Sequence, residues 1–107
     1  MSNIDSELDH FDLELAELEG LSNGAIELIE CGRLDEAERI CLELKLRFPD
    51  QIDWIEHSAA VCEARGQIQK AMEYYEQCLA HIDRYPDGFD SDSRAWYRDQ
   101  IDRLRRQ

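Results

Sequence analysis

Proline is nearly missing from this chain: Pro49 and Pro86 are the only two in 107 residues. Proline removes a backbone donor and disfavours helix in the residue before it, so its scarcity leaves long stretches free to be helical, and each copy reads as punctuation. Glycine is also sparse, at five residues, which excludes collagen-like and low-complexity architectures. No uninterrupted apolar run approaches the roughly 20 residues that a membrane-spanning helix needs. The acidic N-terminus lacks the cationic and apolar regions of a secretory leader. A cytoplasmic, reducing setting is therefore expected.

Cations are absent from residues 1–32, which hold nine acids and no Lys or Arg. The formal net charge is −13. A polyanionic surface gains no counterion release from nucleic acid and is repelled by anionic membranes, so neither is expected as a partner. A basic partner, or simple solubility, is what this charge favours. The last 24 residues reverse the trend, with six Arg against five acids.

Chemistry-bearing constellations are lacking too. The four cysteines, Cys31, Cys41, Cys62 and Cys78, form no CxxC pair and match no zinc spacing. Free cysteine is a small, frequently buried hydrophobe, and that is the role expected for at least three of them. His10, His57 and His81 are scattered, and none stands at a motif spacing from a candidate nucleophile. The N-terminal acids lack the Gly and closing Glu of a calcium loop. No Gly-rich loop is present to cradle a phosphate. Neither catalysis, a metal nor a cofactor is expected.

What the chain does contain is a repeat. A shift of 34 residues lays Gly32 on Gly66, Ala37 on Ala71 and Ala25 on Ala59. The apolar positions follow without a gap: Leu21 over Ile55, Leu28 over Cys62, Leu34 over Ile68, Ile40 over Tyr74, Cys41 over Tyr75, Leu44 over Cys78 and Phe48 over Ile82. Each unit reads as a helical hairpin. Leu21, Ala25, Leu28 and Ile29 recur at the spacing of one helix face. Gly32 then stops the helix, and Asp35 and Glu36 suit the positive end of the next. The paired alanines mark close crossings, where only a small side chain lets two backbones approach. Ile55, Ala59 and Cys62 are expected to face Ala71, Tyr75 and Cys78 across the turn at Gly66.

A 34-residue helix-turn-helix unit carrying Gly-Arg-Leu-Asp-Glu-Ala at 32–37 resembles the tetratricopeptide repeat family. The family's opening Trp, Leu-Gly and Tyr fall on Leu21, Gly24-Ala25 and Leu28, then on Ile55, Ser58-Ala59 and Cys62. Its later Ala, aromatic and Pro fall on Ala37, Cys41 and Pro49, then on Ala71, Tyr75 and Asp83. The opening Trp and Tyr are thus missing from both copies, and the second Pro is displaced to Pro86. The resemblance covers residues 18–85 and implies an all-α fold, a right-handed superhelix of antiparallel hairpins. The expected organisation is one domain, 1–107. It comprises an acidic N-terminal helix (1–17), two repeats (18–51 and 52–85) and a C-terminal capping helix (90–107). Helices are predicted near 3–17, 19–31, 35–48, 52–65, 69–84 and 92–105, with no strand.

The flanks have their own patterns. Ser91 or Asp92 can cap the last helix, with Tyr97, Ile101 and Leu104 along one side, Trp96 over the edge of the second hairpin, and the arginines at 94, 98, 103, 105 and 106 facing solvent. At the other end, Ile4, Leu8, Phe11, Leu15 and Leu18 step by four, three, four and three, with Asp5, Asp9, Asp12 and Glu19 turned away. Three readings of this stripe stand: a helix docked on the first repeat, a frayed acidic tail, or an exposed element that itself binds a partner.

In the resembled family, first helices of successive repeats line a concave groove that grips peptides. The resemblance places that groove here on Glu19, Ser22, Asn23, Ile26, Ile29 and Glu30, then on Asp53, Glu56, His57, Ala60 and Glu63. One subset of the family clamps acidic C-termini with Lys, Arg and Asn; only Asn23 has the right type, so that function does not carry over. An acidic groove favours a cationic segment instead. Two function classes follow. One is an adaptor or chaperone holding a peptide or helix of another protein, similar in size and repeat type to small bacterial secretion chaperones. The other is a structural subunit of a larger assembly, or a self-associating scaffold such as a homodimer.

Overall fold

A computed structural model describes the backbone from Asn3 onward and the side chains from Asp12 onward. Five α-helices follow in chain order: α1 (Asn3–Glu30), α2 (Leu34–Arg47), α3 (Asp53–Ala64), α4 (Ile68–Arg84) and α5 (Ser91–Arg105), with a 3-10 turn at Pro86–Gly88. No strand occurs among the described residues. Nor is any helix among them long and apolar enough to cross a membrane.

The two predicted glycine turns are built alike. Gly32 and Gly66 both sit at φ +76°, the left-handed region that a side chain disfavours. At the first turn, Arg33 N–H donates to Leu28 C=O at 2.8 Å and Gly32 N–H to Ile29 C=O at 3.0 Å. At the second, Gln67 N–H donates to Cys62 C=O and Gly66 N–H to Glu63 C=O at the same two distances. This crossed pair of bonds satisfies the last carbonyls of each helix and reverses the chain after them. The result is two hairpins, α1 with α2 and α3 with α4, and α5 packs antiparallel on α4. An Arg65 fork to Asp35 Oδ1 (2.6 Å) and Glu38 Oε1 (2.8 Å) ties the start of α2 to the end of α3.

Burial follows the alanines. Ala25, Ala37, Ala59 and Ala71 have no accessible surface. The main core gathers Ile55, Ala59 and Cys62 of α3, Ala71, Tyr75, Cys78 and Ile82 of α4, and Tyr97, Ile101 and Leu104 of α5. A smaller cluster joins Ala37 and Cys41 of α2 to Val61 of α3, with Leu28, Ile29 and Leu34 against it. Three of the four cysteines are buried and Cys31 is exposed. Burying a side chain such as Leu104 is worth about 1.5–3 kcal/mol, and α5 contributes three such residues to the core.

Two expectations are corrected. The predicted helices 3–17 and 19–31 are one helix, α1. Gly20 and Gly24 each weaken it by about 1 kcal/mol relative to alanine. Neither adopts a positive φ, and no proline intervenes, so nothing interrupts the hydrogen-bond ladder. At α5 the cap is neither Ser91 nor Asp92. Asp90 accepts from the Ser93 backbone N–H at 2.9 Å, and the bonds from Ser93 hold its carboxyl below the usual aspartate range.

Candidate functional site

The residues expected to form a groove lie along α1 and α3, which run parallel because each is antiparallel to α2: Arg47 at the end of α2 pairs with Glu17 of α1, and Asp35 at its start pairs with Arg65 just past α3. Ser22 joins them. Its Oγ donates to Asp53 Oδ2 at 2.7 Å and stands 2.6 Å from His57 Nε2. A hydroxyl has one proton, and here it goes to the carboxylate, so Nε2–H donates to the serine oxygen. A nucleophilic serine needs the opposite polarity, with the imidazole accepting its proton. The cluster is a pin between two helices. Burial pushes the His57 pKa down, an effect partly offset by the neighbouring charges of Glu56 and Asp53.

The rest of the α3 row is tied to α5. Tyr97 O–H donates to Glu56 Oε1 at 2.7 Å. Burial first, and this bond second, raise the phenol pKa. Arg103 forms an ion pair with Glu63. Of the arginines expected to face solvent, Arg103 is exposed while it pairs with Glu63, and Arg94 is half-buried and pairs with Asp83. Trp96 stacks edge-on against Tyr75, with ring centroids 6.0 Å apart, and remains 46% exposed. The sequence carried one hint of these links, the opposite charge of the α5 arginines and the α3 acids. It carried none of their pairing.

The expected groove therefore divides. Ser22 and His57 are buried, Ile29 is half-buried beside the smaller cluster, and Asp53, Glu56 and Glu63 are bonded inside the fold. Ala60 is half-buried. Glu19, Asn23, Ile26 and Glu30 are exposed. Their spacing of four, three and four puts them on one stripe of α1, adjacent to Ser22 and so on the α3 side. Among the described residues, Glu19 and Glu30 take part in no ion pair.

The opposite face of α3 carries a feature that sequence reasoning missed. A cleft of about 230 Å³ opens between α2, α3 and α4, lined by Cys41, Leu42 and Lys45, by Trp54, Ser58 and Val61, and by Tyr74. Lys45 Nζ sits 4.9 Å over the Trp54 ring. Leu42 at its edge is 56% exposed, and Leu46 one turn on is 83% exposed. Burial raises the pKa of the Cys41 and Cys62 thiols, which keeps them protonated and poor as metal ligands. No group of three or more His, Cys, Asp or Glu that could hold a metal is found among the described residues.

Comparison with protein-family models, with curated proteins and with solved structures found no match for this chain.

Proposed function

We propose that this chain is a protein-interaction module built of tetratricopeptide-like hairpins in a right-handed superhelix. It holds a cationic peptide or helix of a partner protein, as an adaptor or chaperone. One observation carries this reading: the open stripe Glu19, Asn23, Ile26 and Glu30 on α1 sets an apolar side chain, 41% exposed, between acids that no cation in the described fold neutralises. Such a surface suits an aliphatic contact flanked by Lys or Arg. The acids speed encounter and set specificity more than they add affinity, since each exposed pair is worth about 0–1 kcal/mol and is screened by salt.

The discriminating experiment replaces Ile26→Ser together with Glu30→Gln, because neither side chain supports the core. Partner capture by the tagged chain from its native extract should fall several-fold, and raised salt should weaken what remains. Replacement of Arg98 and Arg106 by Gln should change little. If the arginine changes abolish capture and the α1 changes do not, the partner docks on α5 and the stripe is not the site.

A further inference from the structure

Two leucines of α2 face solvent: Leu42 is 56% exposed, and Leu46, one turn on, is 83% exposed. Single exposed leucines are ordinary, but these adjoin the cleft between α2, α3 and α4, with Leu42 at its edge. Trp54 of α3, Tyr74 of α4 and the buried thiols Cys41 and Cys62 share its lining. Two of its donors turn inward. Ser58 Oγ donates to Trp54 C=O at 2.6 Å, and Trp54 Nε1–H donates to Pro49 C=O at 3.2 Å. An occupant therefore meets rings and protonated thiols. An apolar cavity of about 150 Å³ holds a benzene ring, so this cleft of about 230 Å³ admits a phenyl or indole group. It is smaller than the roughly 300–1,000 Å³ typical of small-molecule sites. An aliphatic ridge beside a ring-sized cleft suits a polypeptide better than a free metabolite.

The charges around the cleft decide what fits. In a chain of net charge −13, this rim is a local reversal. Glu38 and Glu43, the acids of α2 nearest Leu42 in sequence, are held by Arg65 and Arg47. The cations are not held in that way. Lys45 Nζ stands 4.9 Å over the Trp54 ring. Lys70 stands one turn before Tyr74 on α4, and its charge reaches the lining: burial raises the Cys62 pKa, and Lys70 partly opposes that rise. Arg39 lies on α2 in line with Leu46, two turns away. None of these three pairs with a carboxylate among the described residues. Glu73 of α4 is the acid nearest Tyr74 in sequence and opposes them, so its removal should favour an anionic occupant.

We propose that this cleft and the Leu42–Leu46 ridge form a second docking surface, for an acidic segment of a partner protein in which an aromatic residue is flanked by Asp or Glu. The ring packs against Trp54 and Tyr74, and an aliphatic neighbour lies on Leu42 and Leu46. The flanking carboxylates meet Arg39, Lys45 and Lys70, which steer encounter and set which segments fit. This goes beyond the reading of the Ile26 stripe, since it takes a partner of opposite charge on other helices.

Isothermal titration calorimetry of the full-length chain with three synthetic peptides of about a dozen residues tests this. One carries Trp and Leu among Glu residues, one has Ala in place of the Trp, and one has Lys in place of each Glu. The first should bind, and the other two should bind at least about tenfold more weakly. Leu42→Ser with Leu46→Ser should weaken binding of the first several-fold. Lys45→Gln with Lys70→Gln should do the same and flatten its dependence on salt. Glu73→Gln should strengthen it. Circular dichroism checks the fold of each variant, and all five side chains are exposed or rim positions outside the core. Ile26→Ser with Glu30→Gln should leave peptide binding unchanged, which separates this surface from the stripe. Equal binding of the three peptides, no binding, or binding indifferent to the α2 changes overturns the proposal. Indole acetate binding as tightly as the first peptide also overturns it, since the occupant is then a small molecule. So does a dimer of the chain alone in sedimentation that Leu42→Ser with Leu46→Ser dissolves, since the occupant is then a second copy.

Discussion

Replacing Ala71 by leucine puts an isobutyl group where the fold has room for a methyl. Ala71 has no accessible surface and sits in the core with Ile55, Ala59, Cys62 and Tyr75, where α4 crosses α3. The extra volume cannot turn outward, so the helices must separate or the neighbours must leave their rotamers. Overpacking of this kind costs about 1–3 kcal/mol. At about 4–8 °C per kcal/mol for a domain near this size, the melting temperature should fall by about 5–20 °C. Ala37→Leu should behave alike, since Ala37 is equally buried at the equivalent crossing of the first hairpin. The control is Glu36→Gln. Its partner Arg33 lies at 2.6 Å, but the two side chains are 46% and 61% accessible, so the pair is worth about 0–1 kcal/mol and a few degrees at most. The assay is thermal unfolding followed by circular dichroism, with urea unfolding to confirm that the m-value is unchanged. Shifts of equal size for Ala71→Leu and Glu36→Gln would refute the account of the alanines as close-crossing residues.

Two further outcomes are expected. In the native protein, Ellman's reagent should titrate one thiol, Cys31, and reach Cys41, Cys62 and Cys78 only after unfolding; chelator and mild reductant should leave the melting curve unmoved, and a large loss with chelator would overturn the assignment of the cysteines to packing. His57 should make stability depend on pH. Its folded-state pKa is depressed by burial, so the unfolded chain binds the extra proton as pH drops through about 6.5. Stability is then fully present above that value and declines below it. Urea midpoints at pH 7.5 and 5.5 should therefore differ less in His57→Gln than in the unaltered chain, and an equal or larger difference in the variant would reject the assignment.

Much of the hairpin structure was legible in the sequence because it rests on local chemistry. Gly32 and Gly66 are the positions where a helix must reverse through a left-handed residue. The alanines are the positions where backbones touch. The apolar periodicity named Tyr97, Ile101 and Leu104 as the buried side of the last helix. Each of these signals is a side-chain size or a φ preference read within a few residues, and the tertiary structure only had to respect it. The same reading failed where the outcome depended on what lay opposite. It divided α1 in two because the repeat boundary falls near residue 18, yet a repeat boundary is not a helix stop when no cap or proline enforces one.

The groove shows the limit most clearly. Glu56 and Glu63 share the polarity of Glu19 and Glu30 and occupy comparable helical positions. Only the return of α5 onto α4 distinguishes them, by letting Tyr97 reach Glu56 and Arg103 reach Glu63 across some forty residues of chain. Likewise, nothing near Ser22 announces that Asp53 and His57 will enclose its hydroxyl. The sequence by itself determined where helices form, where they turn and which faces are apolar, because those follow from local sterics and periodic burial. Which charged residues remain open to solvent was decided by the tertiary structure alone, because a carboxylate's sequence position records its charge but not the cation or hydroxyl that the fold will carry to it.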